Sequence, residues 1–277
     1  MSQELYYREI AAAVRAHRPA GAVDGFDLRP VARVGTDVGE LFIAADDAII
    51  LPHLRAHGCW EPEEGAVVER HLTEGANAVV IGAHVGYHVL RVSRAVGRSG
   101  HVTAIEPEPQ NFAMLCANLR MAGAANVRPI EAVAAERAGA AELSAPPNRN
   151  SGDYRAFPSL DRTRVSVPAL ALDDVLLPGP RVALVLSDAQ ATDHHALRGM
   201  CATISRDRPT ILVEFWPAGI DEVGDDPSGV LAEYVSWGYD IRMATDADGR
   251  LWQDHAETVR TVRQGVRDHV TLLLCPR

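Results

Sequence analysis

Short β-branched runs separated by amphipathic stretches, repeated from Asn77 to Phe215, constrain this chain more than any other feature of its sequence. Ala78–Ile81, His101–Ile105, Val127–Ala132, Val182–Leu186 and Thr210–Phe215 read as strands, with Tyr87–Val96, Pro109–Ala122 and Asp193–Ser205 as helices between them. Apolar runs of this length alternating with helices form right-handed crossovers in a doubly wound, mainly parallel α/β sheet. The rhythm then changes. A helix at Val230–Trp237, a strand at Asp240–Ala244, a turn at Asp246–Gly249 and an apolar strand at Thr271–Leu274 bring the sheet to seven strands and predict an antiparallel C-terminal edge.

Ahead of this core, Leu5–Arg15 places Leu5, Ile10, Ala13 and Val14 near one helical face. The spacing predicts an N-terminal helical cap or lid over residues 1–75, with a strand at Glu40–Ala44 and short helices at Ala48–Ala56 and Glu63–Leu72, followed by the main domain over 76–277. Pro146–Arg164, rich in Pro, Asn, Ser, Gly and Arg, is expected to be a surface loop able to fold over a ligand.

Composition removes several functions. The 277 residues include no lysine, so Schiff-base chemistry, a P-loop lysine and a lysine general base are excluded, because guanidinium keeps its proton near neutral pH. The net charge of −10 argues against a surface that grips nucleic-acid phosphates or anionic lipid. Cys59, Cys116, Cys201 and Cys275 are widely spaced, which indicates neither a zinc ribbon nor a redox dithiol and fits a reducing cytoplasm. Glu4, Arg8 and Arg15 interrupt the N-terminal apolar residues, so neither a signal peptide nor a membrane anchor is expected.

Two features carry chemistry. In VVIGAHVGYH, Val79–His88, a strand runs into Gly82 and Gly86 and then into a helix. Glycines there let backbone amides approach a polar ligand at a helix N-terminus, although tight strand-to-helix packing accounts for them equally well. Glu106 ends the next strand 20 residues after Gly86, where nucleoside-binding α/β folds place an acid for ribose hydroxyls. A solvated strand-end glutamate is the alternative. The absence of a third glycine disfavours a nicotinamide dehydrogenase.

From about Asp46 onward the sequence resembles the FkbM-type methyltransferases, a branch of the class I S-adenosylmethionine-dependent enzymes. The carriers are IGAHVGYH with Gly82, Ala83 and Gly86, TAIEPEPQNFAMLCANL with Glu106, Pro107, Asn111 and Asn118, VPALALDDVL at Val167–Leu176, and PTILVEF ending at Glu214 and Phe215. The resemblance implies S-adenosylmethionine as cofactor, with Gly82, Ala83 and Gly86 around its methionine portion, Glu106 at the ribose and Val133 and Ala134 beside adenine; His84, Tyr87, Pro107 and Asn111 are further candidate cofactor-binding residues. It also implies methylation of a small-molecule hydroxyl, on a sugar or secondary metabolite. The abundance of Ala, Val, Gly and Arg suggests a bacterial source. A homo-oligomer is compatible with this, and the sequence leaves the oligomeric state open.

The chain departs from the family pattern where function is decided. An Asp usual to the family is replaced by Val80, the usual Asn of the turn by His84, and Lys-Ile-Asp-Val-Glu-Gly reads Leu186, Ser187, Asp188, Ala189, Gln190, Ala191. Methyl transfer depends mainly on alignment and needs a base only for the acceptor proton. Asp188, His84 and His194 are therefore the candidate catalytic residues, with His88 and His195 as further candidate bases, and Gln190, Glu214 and Trp216 line the expected substrate pocket. No metal is expected: Asp193, His194 and His195 are consecutive at a helix start, diverge by about 100° each and are not expected to converge on one ion. A non-catalytic descendant that keeps the nucleoside pocket, or an enzyme of non-methylating chemistry, is the competing expectation.

Overall fold

The computed structural model describes residues 30–159, 162–176, 181–246, 250–266 and 268–277. The expected helix at Leu5–Arg15 lies outside them. The described chain opens with an antiparallel hairpin, β1 (Val31–Thr36) and β2 (Gly39–Ala44), followed by α1 (Ile50–His57) and α2 (Pro62–His71). The two helices and β2 match the expected elements. β1 was not anticipated.

The sheet that organises the molecule contains β3 (Asn77–Ile81), β4 (His101–Ile105), β5 (Val127–Ile130), β9 (Val182–Ser187), β10 (Thr210–Phe215), β11 (Tyr239–Met243) and β12 (Val270–Pro276). Its order is β11-β12-β10-β9-β3-β4-β5. The five strands from β10 to β5 are parallel, and β12 runs antiparallel to both β10 and β11. Between β5 and β9 stands a small three-stranded sheet of β6 (Val133–Ala134), β7 (Gly139–Ser144) and β8 (Arg164–Leu170).

Both faces of the large sheet are covered, as expected for parallel strands. Along β3, Ala78 and Val80 join the core formed with the hairpin, α1, α2, α3 (Tyr87–Val96) and α4 (Pro109–Ala122). Val79 and Ile81 join the opposite core, formed with α6 (Asp193–Arg198), α7 (Cys201–Asp207), α8 (Pro217–Val223), α9 (Pro227–Ser236) and α10 (His255–Arg263), near which lies the short α5 (Leu172–Val175). The side-chain period of two therefore splits each strand between two cores.

The expected single helix at 193–205 is two helices, α6 and α7, broken at Gly199–Met200. A Cβ on Gly199 would lie 2.0 Å from the Ala135 carbonyl oxygen, so the break falls where the chain after β6 packs too close for any side chain. Asn118, buried on α4, ties the hairpin to the glycine turn. Its side chain accepts from Phe42 N–H at 2.8 Å and donates to the carbonyls of Phe42 and Val85 at 3.0 and 2.7 Å.

Candidate active site

The parallel strands end along one cavity of about 730 Å³, in the range of small-molecule sites and at the strand ends where α/β sheets bind ligands. Of the residues expected from the sequence, it is lined by Gly82, Ala83, His84, Tyr87, Glu106, Pro107, Asn111, Val133, Ala134, Asp188, Gln190, Glu214 and Trp216. Gly86 does not line it but stands as the N-cap of α3, with φ 97°.

His194 is not brought to the cavity. It is buried with Nε2 2.9 Å from Asp225 Oδ2, and His195 Nε2 lies 2.8 Å from the same oxygen. The expected divergence of the consecutive histidines is thus corrected: with ring centroids 4.2 Å apart, the side-chain torsions in this short helix bring both onto one carboxylate. Asp193 does turn away. Its Oδ1 accepts from Ser187 Oγ at 2.6 Å and from Ala189 N–H at 2.9 Å, fixing the loop between β9 and α6, and burial raises its pKa to about 6.

The first glycine of the turn is demanded by packing. Gly82 has φ 75°, and a Cβ there would lie 1.8 Å from the Asp188 carbonyl oxygen. The amides of Gly82 and Ala83 both donate to the Ile105 carbonyl, at 3.0 and 2.9 Å, rather than into the cavity. His84 follows with φ 48°, unusual for a non-glycine residue, and its N–H donates to Glu106 Oε2 at 2.7 Å. The other Glu106 oxygen accepts from Glu108 N–H at 2.9 Å. Glu106 is a buried strand-end acid, and burial, aided by repulsion from Glu108, raises its pKa to about 8.

A residue that sequence reasoning missed joins three sides of the cavity. Ser151, fully buried in the loop between β7 and β8, donates from N–H and Oγ to Asp47 Oδ2 at 2.7 and 2.5 Å. Its Oγ also lies 2.8 Å from His84 Nε2, and its carbonyl accepts from Asn111 Nδ2 at 2.9 Å. Asp47 in turn accepts through Oδ1 from the amides of Ile49, Ile50 and Leu51 at the start of α1, at 3.0, 2.5 and 2.9 Å. An Asp shortly before a helical run is a legible cap signal; its bond to a serine 104 residues away is not.

Farther along the loop, the Arg155 guanidinium stacks 4.5 Å from the Trp216 ring centroid and pairs with Asp153 and Glu222 at 2.9 and 3.0 Å. Trp216 Nε1 donates to Asp268 at 2.8 Å. Residues 150–156 of the expected surface loop thus line the cavity, with Ser151 and Asp153 buried and not on the surface.

At the far end of the cavity the site is acidic. Asp188 Oδ1 accepts from Gln190 Nε2 at 2.9 Å, and Gln190 and Ala191 both have left-handed backbones, with φ 49° and 76°. Burial and repulsion from Glu61, Asp193 and Glu64 raise Asp188 well above the ordinary carboxylate range, and burial and repulsion led by Asp188 do the same to Glu214. His88 Nε2 lies 3.0 Å from Glu61, and its pKa is raised by Glu61, Glu64 and Asp188 against an opposing effect of burial.

Five parallel strands with an antiparallel strand inserted before the edge, and a strand-end acid beside a glycine turn, define a Rossmann-like fold of the class I methyltransferase type. The Methyltransferase FkbM domain matches residues 81–241, and the chain belongs to the FkbM methyltransferase family. No curated protein matches the sequence. Among solved structures, a methyltransferase FkbM from Methylobacillus flagellatus is 17% identical with a TM-score of 0.47, covering 80% of this chain, which spans 51% of that protein. TYW2 from M. jannaschii, solved with AdoMet, is 13% identical with a TM-score of 0.45 and coverage of 91% and 87%. The methyltransferase SMU.1697c from Streptococcus mutans, solved with SAH, is 9% identical with a TM-score of 0.44 and coverage of 76% and 94%. Among the described residues, no helix is long and apolar enough to cross a membrane.

Proposed function

We propose that this chain transfers a methyl group from S-adenosylmethionine to a hydroxyl of a small-molecule acceptor. The observation that carries the reading is Glu106, a buried carboxylate bonded to the glycine turn and facing the same cavity as Asp188 and Glu214. Each Glu106 oxygen takes one backbone N–H, the Asn111 side chain adds a further bond, and the carboxylate's four lone-pair sites are not all used. Two ribose hydroxyls donated to it would stabilise its charged form, which burial alone disfavours. The chemistry of the donor set therefore fits a nucleoside.

In this reading Gly82, Ala83, His84, Gly86 and Tyr87 surround the methionine portion, Glu106, Pro107 and Asn111 the ribose, and Val133 and Ala134 the adenine. S-adenosylmethionine, when bound, supplies a methyl group activated by a sulfonium. The chain supplies alignment and proton transfer. Asp188, raised above the ordinary carboxylate range by burial and oriented by Gln190, is in its ionised form a stronger base toward the acceptor hydroxyl than an ordinary carboxylate. Glu214 and Trp216 hold the acceptor, while His84, whose Nε2 is engaged by Ser151, positions the turn. The acidic cavity and the net charge of −10 favour a small acceptor over a nucleic acid.

Calorimetric titration with S-adenosylmethionine and with its demethylated product, using NAD as control, tests this. Micromolar binding of both with NAD inert is the expected result and justifies a screen of hydroxyl acceptors with labelled methyl donor. No binding of either overturns the reading, and binding without turnover on any acceptor favours a non-catalytic ligand-binding role.

A further inference from the structure

Beside the main cavity lies a smaller one of about 150 Å³, whose walls include Glu61, Glu63, Glu64, Asp188 and Glu214, with His269 and no arginine. The chain has no lysine to neutralise them. Between this cavity and the main one, which His88 lines, oxygens of Glu61 and Glu64 and a ring nitrogen of His88 all lie within 4.8 Å of one another. His88 Nε2 is 3.0 Å from Glu61 Oε2 and 3.7 Å from Glu64 Oε2, and the side chains of His88 and Glu64 are each 14% exposed. Glu214 Oε2, on the wall of both cavities, is buried with no hydrogen-bond partner, as is His88 Nδ1. A buried carboxylate oxygen without a donor is costly.

We propose that Glu61, Glu64 and His88 bind a divalent cation, with the unpartnered Oε2 of Glu214 and the carboxyl of Asp188 on the neighbouring cavity wall. Two carboxylates and an imidazole form a mixed oxygen and nitrogen set suited to first-row divalent ions such as Mn²⁺ or Zn²⁺. Glu61, Asp188 and Glu214 line both cavities, so the cation sits at the acceptor end of the main one. There it binds an acceptor oxygen and lowers the pKa of its hydroxyl. This catalytic consequence rests on the methyl-transfer reading; the cation site itself does not.

The test is titration of chelator-treated protein with Mn²⁺, following loss of the free-ion electron paramagnetic resonance signal, with Zn²⁺ competition. One bound equivalent is expected, weakened at least tenfold in Glu64→Gln and in His88→Asn, each checked for folding by circular dichroism. Asp225→Asn, which alters the separate His194–His195–Asp225 cluster, is expected to leave that equivalent in place. Failure of both ions to bind the wild type, or undiminished binding in folded Glu64→Gln and His88→Asn, overturns the proposal. Cofactor titration of the same metal-free samples separates this outcome from failure of the methyl-transfer reading.

Discussion

Val80 on β3 and Leu186 on β9 are register neighbours in the central sheet, and both are buried in the same core. These are two of the positions at which the chain departs from the family pattern, where an Asp and a Lys are usual. In this chain the two positions form one apolar contact across adjacent strands. Leu186 also borders the small acidic cavity, so an ammonium at that position would meet the carboxylates of Glu61, Glu64, Asp188 and Glu214.

Restoring the charges singly is expected to have opposite consequences. Val80→Asp buries a carboxylate among apolar side chains and is expected to cost about 3 kcal/mol or more. Leu186→Lys places its charge beside carboxylates, keeps the fold and abolishes Mn²⁺ uptake. Thermal unfolding and the metal titration read both.

Glu106→Gln is expected to weaken binding of S-adenosylmethionine. Charge-assisted hydrogen bonds of about 1.5–3 kcal/mol correspond to a loss of roughly 10- to 100-fold. Calorimetry measures it, and unchanged affinity would remove Glu106 from the ribose site.

Stability is expected to depend on pH through the same residue. The folded-state pKa of Glu106 is raised from 4.5 to about 8, so the folded protein binds more protons than the unfolded chain between these values. Its contribution is fully favourable below about pH 4.5 and is lost as pH rises through about 8. Glu64, raised to about 7, and Asp193, raised to about 6, act in the same direction. The melting temperature of the ligand-free protein should therefore fall across this window, and Glu106→Gln should flatten the profile.

Gly82→Ala is expected to be severely destabilising. The added methyl would overlap the Asp188 backbone carbonyl, and the residue would sit at φ 75°. Overpacking costs about 1–3 kcal/mol, and the left-handed backbone adds about 1 kcal/mol. Denaturant titration measures the sum; a loss below about 1 kcal/mol would show that the loop after β9 can move away.

The central strands were legible because they are buried on both faces and read as continuous apolar runs. Glu106 was legible because the glycine turn fixes its distance along the chain. The break in the helix at Gly199 was not, since the close approach of the residue 135 carbonyl there is a tertiary contact. Glu61 and Glu64 read as a charged stretch of a lid and gain meaning only when α2 is laid beside the ends of β9 and β10. The same holds for Ser151, whose partners come from residues 47, 84 and 111.

The amide, hydroxyl and carbonyl of Ser151 are all engaged at one buried point, so lifting this stretch away from Asp47, His84 and Asn111 breaks those contacts together. Their joint loss would be a single cooperative opening, and slow amide hydrogen exchange at Ser151 is the expected sign that it is infrequent.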